Sequence, residues 1–293
     1  MIAETLTPAS TDELASLVRE AKTIRVSGAN SRSDYRLPGP PCDVSISSTS
    51  LTGIIDFIPD DQVVAVRAGT PLLDLQRELM QHGQCLPVVE LKDEFSPLNL
   101  SQETVGGALS LNLPEYLEVK CGSWRDWILG VTVVLADGTV AKSGSRAVKN
   151  VAGYDLQKLF IGARGTLGVV VEVILRTWPL ASLPTPDFRL ANGTEESRTD
   201  ARWIQRVLPS DFETAVKGAS AYGGFDLPNS SLIWRHVPPD AELPRYAGDW
   251  VLRSGCGEKN LQFTDPTQIR LMRRAKEIFD PSHKLNPGEM GIF

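Results

Sequence analysis

Four short stretches of this chain could hold a ligand with bare backbone. Ser27-Gly28-Ala29-Asn30-Ser31-Arg32-Ser33 is small and polar throughout. Such a run is either a plain surface turn or a nest of N–H groups around an anion, with Gly28, Ala29, Asn30 and Ser31 as donors. Thr104-Val105-Gly106-Gly107 sets two glycines before a small, apolar run, which suits either a helix start or backbone lying flat against a ligand. Gly122-Ser123-Trp124-Arg125-Asp126 is a third polar loop. The fourth, Gly162-Ala163-Arg164-Gly165-Thr166-Leu167-Gly168, runs directly into Val169, Val170, Val171, Val173 and Ile174, a β-branched strand. Before it, a short helix is expected from Asp155, with Leu156, Leu159 and Phe160 on one face and a left-handed stop at Gly162. The order is helix, glycine loop, strand. A Rossmann phosphate cradle needs the reverse, so that chemistry is excluded here.

Side chains able to move protons are few. Arg235-His236 and His283-Lys284 pair an imidazole with a cation, and for each an ordinary surface or capping role stands beside the catalytic one. Asn286 lies two residues before Gly288 in a Leu-Asn-Pro-Gly close. The cysteines (Cys42, Cys85, Cys121, Cys256) are spread out with no C-x-x-C pair, so neither an iron–sulfur cluster nor a structural zinc site is expected within the chain. With three histidines, a histidine-rich metal site is not expected either.

The elements that would position these loops can be traced in order. Ser10-Thr11-Asp12-Glu13 is a capping box, followed by Leu14, Leu17, Val18 and Ala21 at helical spacing. Ile24–Val26 and Asp43–Ser47 suggest strands, and 54–58 with 63–68 form a hairpin about Pro59-Asp60-Asp61. Thr70 and Pro71 then open a helix with a Leu72, Leu75, Leu79 stripe. Residues 84–103 lack periodicity and suggest an extended crossing segment. Ala136-Asp137-Gly138 joins another hairpin. Ser182-Leu183-Pro184-Thr185-Pro186 is a linker, a small mixed domain follows, and a last helix spans 266–279, buried through Ile269, Met272 and Phe279.

The 293 residues, 42% hydrophobic and 23% charged, suit a soluble globular chain, and the net charge of −6 argues against a nucleic-acid surface. The N-terminal stretch MIAETLTPASTDEL has early acids and no apolar centre, and the apolar run 167–175 is too short to span a bilayer. A cytoplasmic chain is expected, peripheral to the inner membrane only through a partner.

Taken together and in this order, the four loops resemble the flavin-binding half of the vanillyl-alcohol-oxidase type FAD oxidoreductases. Lys149-Asn150-Val151-Ala152-Gly153-Tyr154-Asp155 and Asp280-Pro281-x-x-x-Leu285-Asn286-Pro287-Gly288 narrow the resemblance to the FAD-linked oxidases around the E subunit of bacterial glycolate oxidase. The resemblance implies an α+β, PCMH-type FAD-binding fold. Two α+β subdomains over 1–180 would clasp FAD, a short cap region would cover 181–264, and 265–293 would close on the flavin. It implies FAD contacts from Gly28, Ala29, Asn30, Ser31, Thr104, Gly106, Gly107, Gly122, Ser123, Gly165, Thr166, Gly168, Val169 and Val170. The family's first loop is richer in glycine; Ala29 and Asn30 stand in here. Where relatives tether flavin to a first-loop histidine, this chain has none between Gly28 and Tyr35, so non-covalent FAD is expected. The implied reaction is oxidation of a small 2-hydroxy acid such as glycolate or D-lactate, with Arg235, His236, His283 and Asn286 as the candidates for its acid–base and binding roles. Electrons would leave through partners, a second FAD subunit and an iron–sulfur subunit. The alternative is a non-catalytic FAD-binding electron-transfer or assembly subunit; a nicotinamide-using reductase is a third reading.

Overall fold

The computed structural model describes residues 5–37, 39–88, 102–146, 154–185, 189–191, 201–246, 249–254 and 265–291. A small parallel sheet begins the chain, with strands β1 (Thr5–Leu6), β2 (Ile24–Ser27) and β3 (Val44–Ser47) in the order β1-β3-β2. Helix α1 (Thr11–Glu20) starts where Ser10 Oγ accepts from Glu13 N at 3.1 Å, while Glu13 reaches back to Ala9 N at 2.8 Å. Its Leu14 and Val18 are fully buried, four residues apart on one face.

Strands β4 (Ile54–Ile58) and β5 (Val63–Arg67) form the expected hairpin, turned by Gln62 in the left-handed region at φ 56°. Helix α2 (Leu72–Gln81) buries Leu72, Leu75 and Leu79 completely. Its N-cap is Pro71 rather than Thr70, because Thr70 Oγ1 is taken by Gly53 N at 2.9 Å. The two-residue strand β6 (Gln84–Cys85) and short helices α3 (Val105–Leu111), α4 (Glu118–Cys121) and α5 (Trp124–Trp127) lead to β7 (Ile128–Val134), β8 (Val140–Gly144) and β9 (Val169–Arg176). The crossing segment expected over 84–103 thus begins as a strand, paired with β10 (Trp178–Pro179); residues 89–101 lie outside the described part.

The larger sheet runs β4-β5-β9-β7-β8, antiparallel throughout. Both faces of its central strands β5, β9 and β7 are buried, which is why these read as valine runs instead of alternating with polar residues. Val169 and Val171 pack with Leu14, Val18, Ile24 and Ile46 on one side. Val170, Val173 and Leu175 pack with the α2 stripe, Val105 and Leu109 on the other; the switch follows a register irregularity opposite Thr132 and Val133.

The stretch 187–262 contributes an antiparallel five-stranded sheet. Its strands are β11 (Arg189–Ala191), β12 (Arg202–Arg206), β13 (Gly224–Leu227), β14 (Leu232–His236) and β15 (Trp250–Ser254), in the order β11-β13-β14-β12-β15. Period-two alternation divides its side chains. Ile204, Trp234 and Leu252 pack on Tyr35, Leu113 and Tyr116 of the first half, while their neighbours Trp203, Ile233 and Val251 pack under helix α6 (Phe212–Gly218). No helix among the described residues is long and apolar enough to cross a membrane.

Two expectations fail in detail. The turn after Asp155 is a 3-10 helix, Leu156–Phe160, with Gln157 and Phe160 buried and Leu156 and Leu159 exposed. Three residues per turn bring positions 157 and 160 together, whereas an α-helical reading had paired 156 with 159 and 160. Helix α7 (Pro266–Phe279), capped by Asp265 through Thr267 N at 2.8 Å, leaves Ile269, Met272 and Phe279 half-buried. Its buried residue is Lys276. The Lys276 ammonium donates to Asp280 Oδ2 at 2.6 Å, Thr166 O at 2.7 Å and Leu285 O at 2.9 Å. Asp280, fully buried, also accepts from Lys284 N and Leu285 N. Removing one member of such a pair strands the other charge, at about 3–5 kcal/mol. Lys276→Met is therefore expected to lower the urea-unfolding stability by roughly that amount; a variant as stable as the parent would show that the ion pair does not hold the C-terminal segment.

Candidate functional site

A cleft lies between the small parallel sheet and the larger antiparallel one, lined by the turn after β2, the start of α3 and the loop before β9. One wall is the turn after β2. Asn30 takes a left-handed φ of 58°, a conformation that asparagine tolerates better than most residues, so it supplies the bend that a glycine would. Ser47 Oγ and Ser48 Oγ hold this turn from behind by donating to Gly28 O and Ser27 O at 3.2 and 3.3 Å. Gly28 is required because a Cβ there would strike the Thr104 side chain.

The second wall is the first turn of α3. Thr104 Oγ1 accepts from Gly107 N at 3.2 Å, and Gly106 N donates to Ala68 O at 2.7 Å. A Cβ on Gly106 would come within 2.8 Å of Ala68 Cβ. The Gly106-Gly107 pair is thus a helix start whose backbone is pressed onto the end of β5, and both residues line the cleft. On Gly107 a Cβ would meet, among the described residues, only Thr104 Oγ1, at 3.0 Å.

The third wall is the loop before β9. Arg164 sits at φ 52°, its N bonded to Ser110 O and its Nη1 to Tyr35 O. Asn286 Nδ2 donates to Arg164 O at 2.7 Å, and Asn286 Oδ1 accepts from Val26 N at 2.6 Å. One amide thereby staples the C-terminal segment to both the β2 edge and the glycine loop. Gly165, Gly168, Val169 and Val170 complete this side.

Charge in the cleft is arranged as arginine–carboxylate contacts. Arg32 is ion-paired with Glu103. Glu289, nearly buried, faces Arg36 at 3.0 Å, Arg164 at 3.7 Å and Arg25 at 3.9 Å. Burial pushes the Arg164 guanidinium below its ordinary range and Glu289 opposes the shift. Glu115 is buried, accepting from Trp124 Nε1 at 3.3 Å on one oxygen and leaving the other without a partner among the described residues. Burial, then the negative charge of Glu103, raises its pKa to about 8. Sequence reading missed Arg32, Arg36, Glu103, Arg164 and Glu289 as site residues; the arginine inside the first loop, at Ser31-Arg32, was the available signal.

Of the residues proposed from sequence, Gly28, Ala29, Asn30, Ser31, Thr104, Gly106, Gly107, Gly165, Gly168, Val169, Val170 and Asn286 line the cleft. Gly122, Ser123 and Thr166 do not. Ser123 and Asp126 form a capping box at the start of α5, with Gly122 at φ 77° beside them, and Thr166 Oγ1 is spent on Ala163 O inside its own turn. Arg235 and His236 are also away from it. Arg235 is fully buried in the third sheet, paired with Asp226 at 2.7 Å and donating to the carbonyl oxygens of Ala219, Phe225 and Trp234. His283, at φ 52°, turns the chain after Asp280 and does not line the cleft. Lys149–Gly153 lie outside the described residues, and Tyr154 beside them is 91% exposed.

Three loops that offer backbone instead of side chains, with arginines among them, fit an extended ligand with a phosphate-bearing middle. Comparison with known families agrees: residues 3–144 match the FAD binding domain and residues 258–290 the C-terminal domain of FAD linked oxidases. The chain is built on the PCMH-type FAD-binding fold, and its cofactor is FAD. It is an FAD-linked oxidase type of chain that resembles glycolate oxidase subunits. It is 29% identical over 178 residues to glycolate oxidase subunit GlcD of Bacillus subtilis, covering 59% of this chain and 36% of that protein. To glycolate oxidase subunit GlcE of Escherichia coli it is 30% identical over 201 residues, 68% of this chain and 54% of that one. A D-lactate dehydrogenase of Anaerostipes hadrus is 30% identical over 174 residues, 58% and 35% of the two chains. The chain thus spans about half or less of the length of these relatives.

Two measurements probe the site. Gly107→Leu would push a side chain into the cleft, so the protein is expected to fold with unchanged circular dichroism and to retain no FAD; a yellow variant would remove Gly107 from the contact surface. Glu115 sets a pH dependence. Its folded pKa of about 8 exceeds the ordinary 4.5, so the folded state keeps a proton that the unfolded chain has released. Stability contributed by this group therefore falls as pH rises through that window. Glu115→Gln should flatten the fall and overtake the parent in melting temperature at the alkaline end; parallel pH profiles would contradict the buried-acid assignment.

Proposed function

We propose that this chain is the flavin-carrying subunit of an FAD-dependent oxidoreductase acting on a small 2-hydroxy acid of the glycolate or D-lactate class. Its FAD is held non-covalently, and electrons leave to a partner iron–sulfur protein, with a second FAD subunit in the same assembly. The cleft carries this reading, because the residues that build it are those that the FAD-linked oxidase resemblance marks. The relatives' names supply the substrate class. Bound FAD supplies a two-electron acceptor for the hydride leaving the hydroxyl-bearing carbon. The chain's own part is to clamp that cofactor: the Gly28–Ser31 turn and Arg32 offer donors to its anionic middle, Val169 and Val170 give a stiff wall, and Asn286 locks the closing segment in place. The setting is cytoplasmic, with any membrane attachment made through the partner.

A second reading, a non-catalytic FAD-binding electron-transfer or assembly subunit, is favoured by one observation. Both carboxylates lining the cleft, Glu103 and Glu289, are tied to arginines, while Arg235 and His236 are away from it. Anaerobic addition of glycolate or D-lactate to the FAD-loaded protein separates the two. Bleaching of the flavin band by substrate alone is expected if the chain is catalytic. A flavin that bleaches with dithionite but with neither acid would leave the electron-transfer reading standing.

A further inference from the structure

Arg164 is a buried cation of the cleft with donors left over. It lines the cleft, is 8% exposed, and its backbone is fixed at both ends: its N donates to Ser110 O at 3.0 Å and its O accepts from Asn286 Nδ2 at 2.7 Å. Of its guanidinium only Nη1 is engaged, donating to Tyr35 O at 2.7 Å. Glu289 is the one carboxylate in ion-pair reach of Arg164 among the described residues, and at 3.7 Å that contact is too long for a hydrogen bond. The carboxylate is also shared. Its Oε2 accepts from Arg36 Nε at 3.0 Å and lies 3.9 Å from Arg25 Nη1. Arg164 Nε and Nη2 make no hydrogen bond among the described residues, and neither is sealed from solvent. A guanidinium buried purely as structure spends its whole fork on protein, because burial penalises every unmet donor. The penalty is felt here: burial lowers the Arg164 pKa, and the charges acting on the group are Glu289, Arg36 and Tyr35. Arg32 and Glu103 form a separate pair.

We propose that Arg164 is an oxyanion-binding residue of the cleft, donating from Nε and Nη2 to a phosphate or carboxylate of the bound ligand while Nη1 stays on Tyr35 O. Nε and Nη2 share one edge of the planar guanidinium, which is the edge that can give two parallel hydrogen bonds to a single anion. The Tyr35 contact and the two backbone bonds set that edge before any ligand arrives, so little ordering remains to be lost on binding. The anion would give Arg164 the short charged partner that Glu289, already hydrogen-bonded to Arg36, does not supply. Such an oxyanion is found both in the cofactor's pyrophosphate and in a 2-hydroxy acid. For the first source the inference needs only the cleft as the FAD site; for the second it rests on the hydroxy-acid reading above.

Titration calorimetry on the full-length chain tests this, with FAD or inorganic pyrophosphate added to FAD-free protein and glycolate to FAD-loaded protein. Arg164→Met is expected to weaken at least one of the three by about tenfold or more, the cost of a hydrogen-bonded charge, and Arg164→Lys by less. Circular dichroism checks that both variants are folded. Weakening of pyrophosphate and FAD assigns the anion to the cofactor; weakening of glycolate alone assigns it to the substrate. Should Arg164→Met fold poorly, the parent protein still answers. Its Arg164 Nε–H resonance, identified by its absence from the Arg164→Lys spectrum, should shift when the ligand is added. A folded Arg164→Met variant that binds all three as tightly as the parent, or an Arg164 resonance that none of them moves, overturns the proposal. Glycolate that never binds would overturn the hydroxy-acid reading instead, and FAD that never binds the cofactor reading; in either case the pyrophosphate titration still decides the role of Arg164.

Discussion

An ammonium and a carboxylate taken out of water are tolerated only when their remaining protons and lone pairs are all used. Lys276 and Asp280 meet that condition. The lysine spends its three donors on Asp280, Thr166 O and Leu285 O, while the aspartate receives the backbone N–H groups of Lys284 and Leu285. Two parts of the chain far apart in sequence converge here: the glycine loop before β9, and α7 with the closing segment that follows it. The consequence appears one residue further on. Because Leu285 is fixed, the chain runs alongside β2, with Ile24 N bonded to Lys284 O and Asn286 N to Ile24 O, both at 2.8 Å. Asn286 thereby arrives where its amide can bridge Val26 and Arg164. The cleft is closed from outside by a charge pair that does not line it.

The cleft itself is defined by where side chains are missing. Gly28 against Thr104, Gly106 against Ala68 and Gly165 against Asn286 Nδ2 are all places where a Cβ would collide with the scaffold. These glycines are thus explained by protein–protein packing as much as by the ligand. Gly107 is different, since a Cβ there meets little. The distinction matters for interpreting the motif: most of its glycines would be needed merely to bring the three walls together, and the ligand benefits from the bare backbone that results.

Much of this was legible from residues alone where local chemistry decides the outcome. The Ser10 cap, the hairpin at Pro59-Asp60-Asp61, the α2 stripe and the order helix–glycine loop–strand follow from short-range rules, and the ordered set of loops pointed to FAD. What escaped depends on distance in sequence. Thr70 has every attribute of an N-cap, but Gly53, seventeen positions away, claims its hydroxyl. Gly122-Ser123 looks like a ligand turn because a capping box uses the same small, polar residues. Glu103 and Glu289 carry no local signature, since their significance arises only when three loops meet. Lys276 is the clearest case: helical spacing puts it on the face of Ile269, Met272 and Phe279, but nothing local announces that Asp280 and two carbonyl oxygens receive its ammonium there.

The third sheet limits where reaction chemistry can originate. Alternation along its strands commits one face to Tyr35, Leu113 and Tyr116 and the other to α6, and Arg202 and Arg206 tie it to Asp34 and Glu118 of the flavin-binding half. With both faces consumed by packing, polar residues inside this sheet are held as structure. Arg235 illustrates the point, its buried guanidinium held by Asp226 and three carbonyl oxygens away from the cleft. A group that acts on substrate must therefore project from a loop or strand end, or belong to another chain. This constraint gives the third sheet its part: among the described residues, one face of the five-stranded sheet braces Tyr35, Leu113 and Tyr116 of the first half while the other is filled by packing against helix α6.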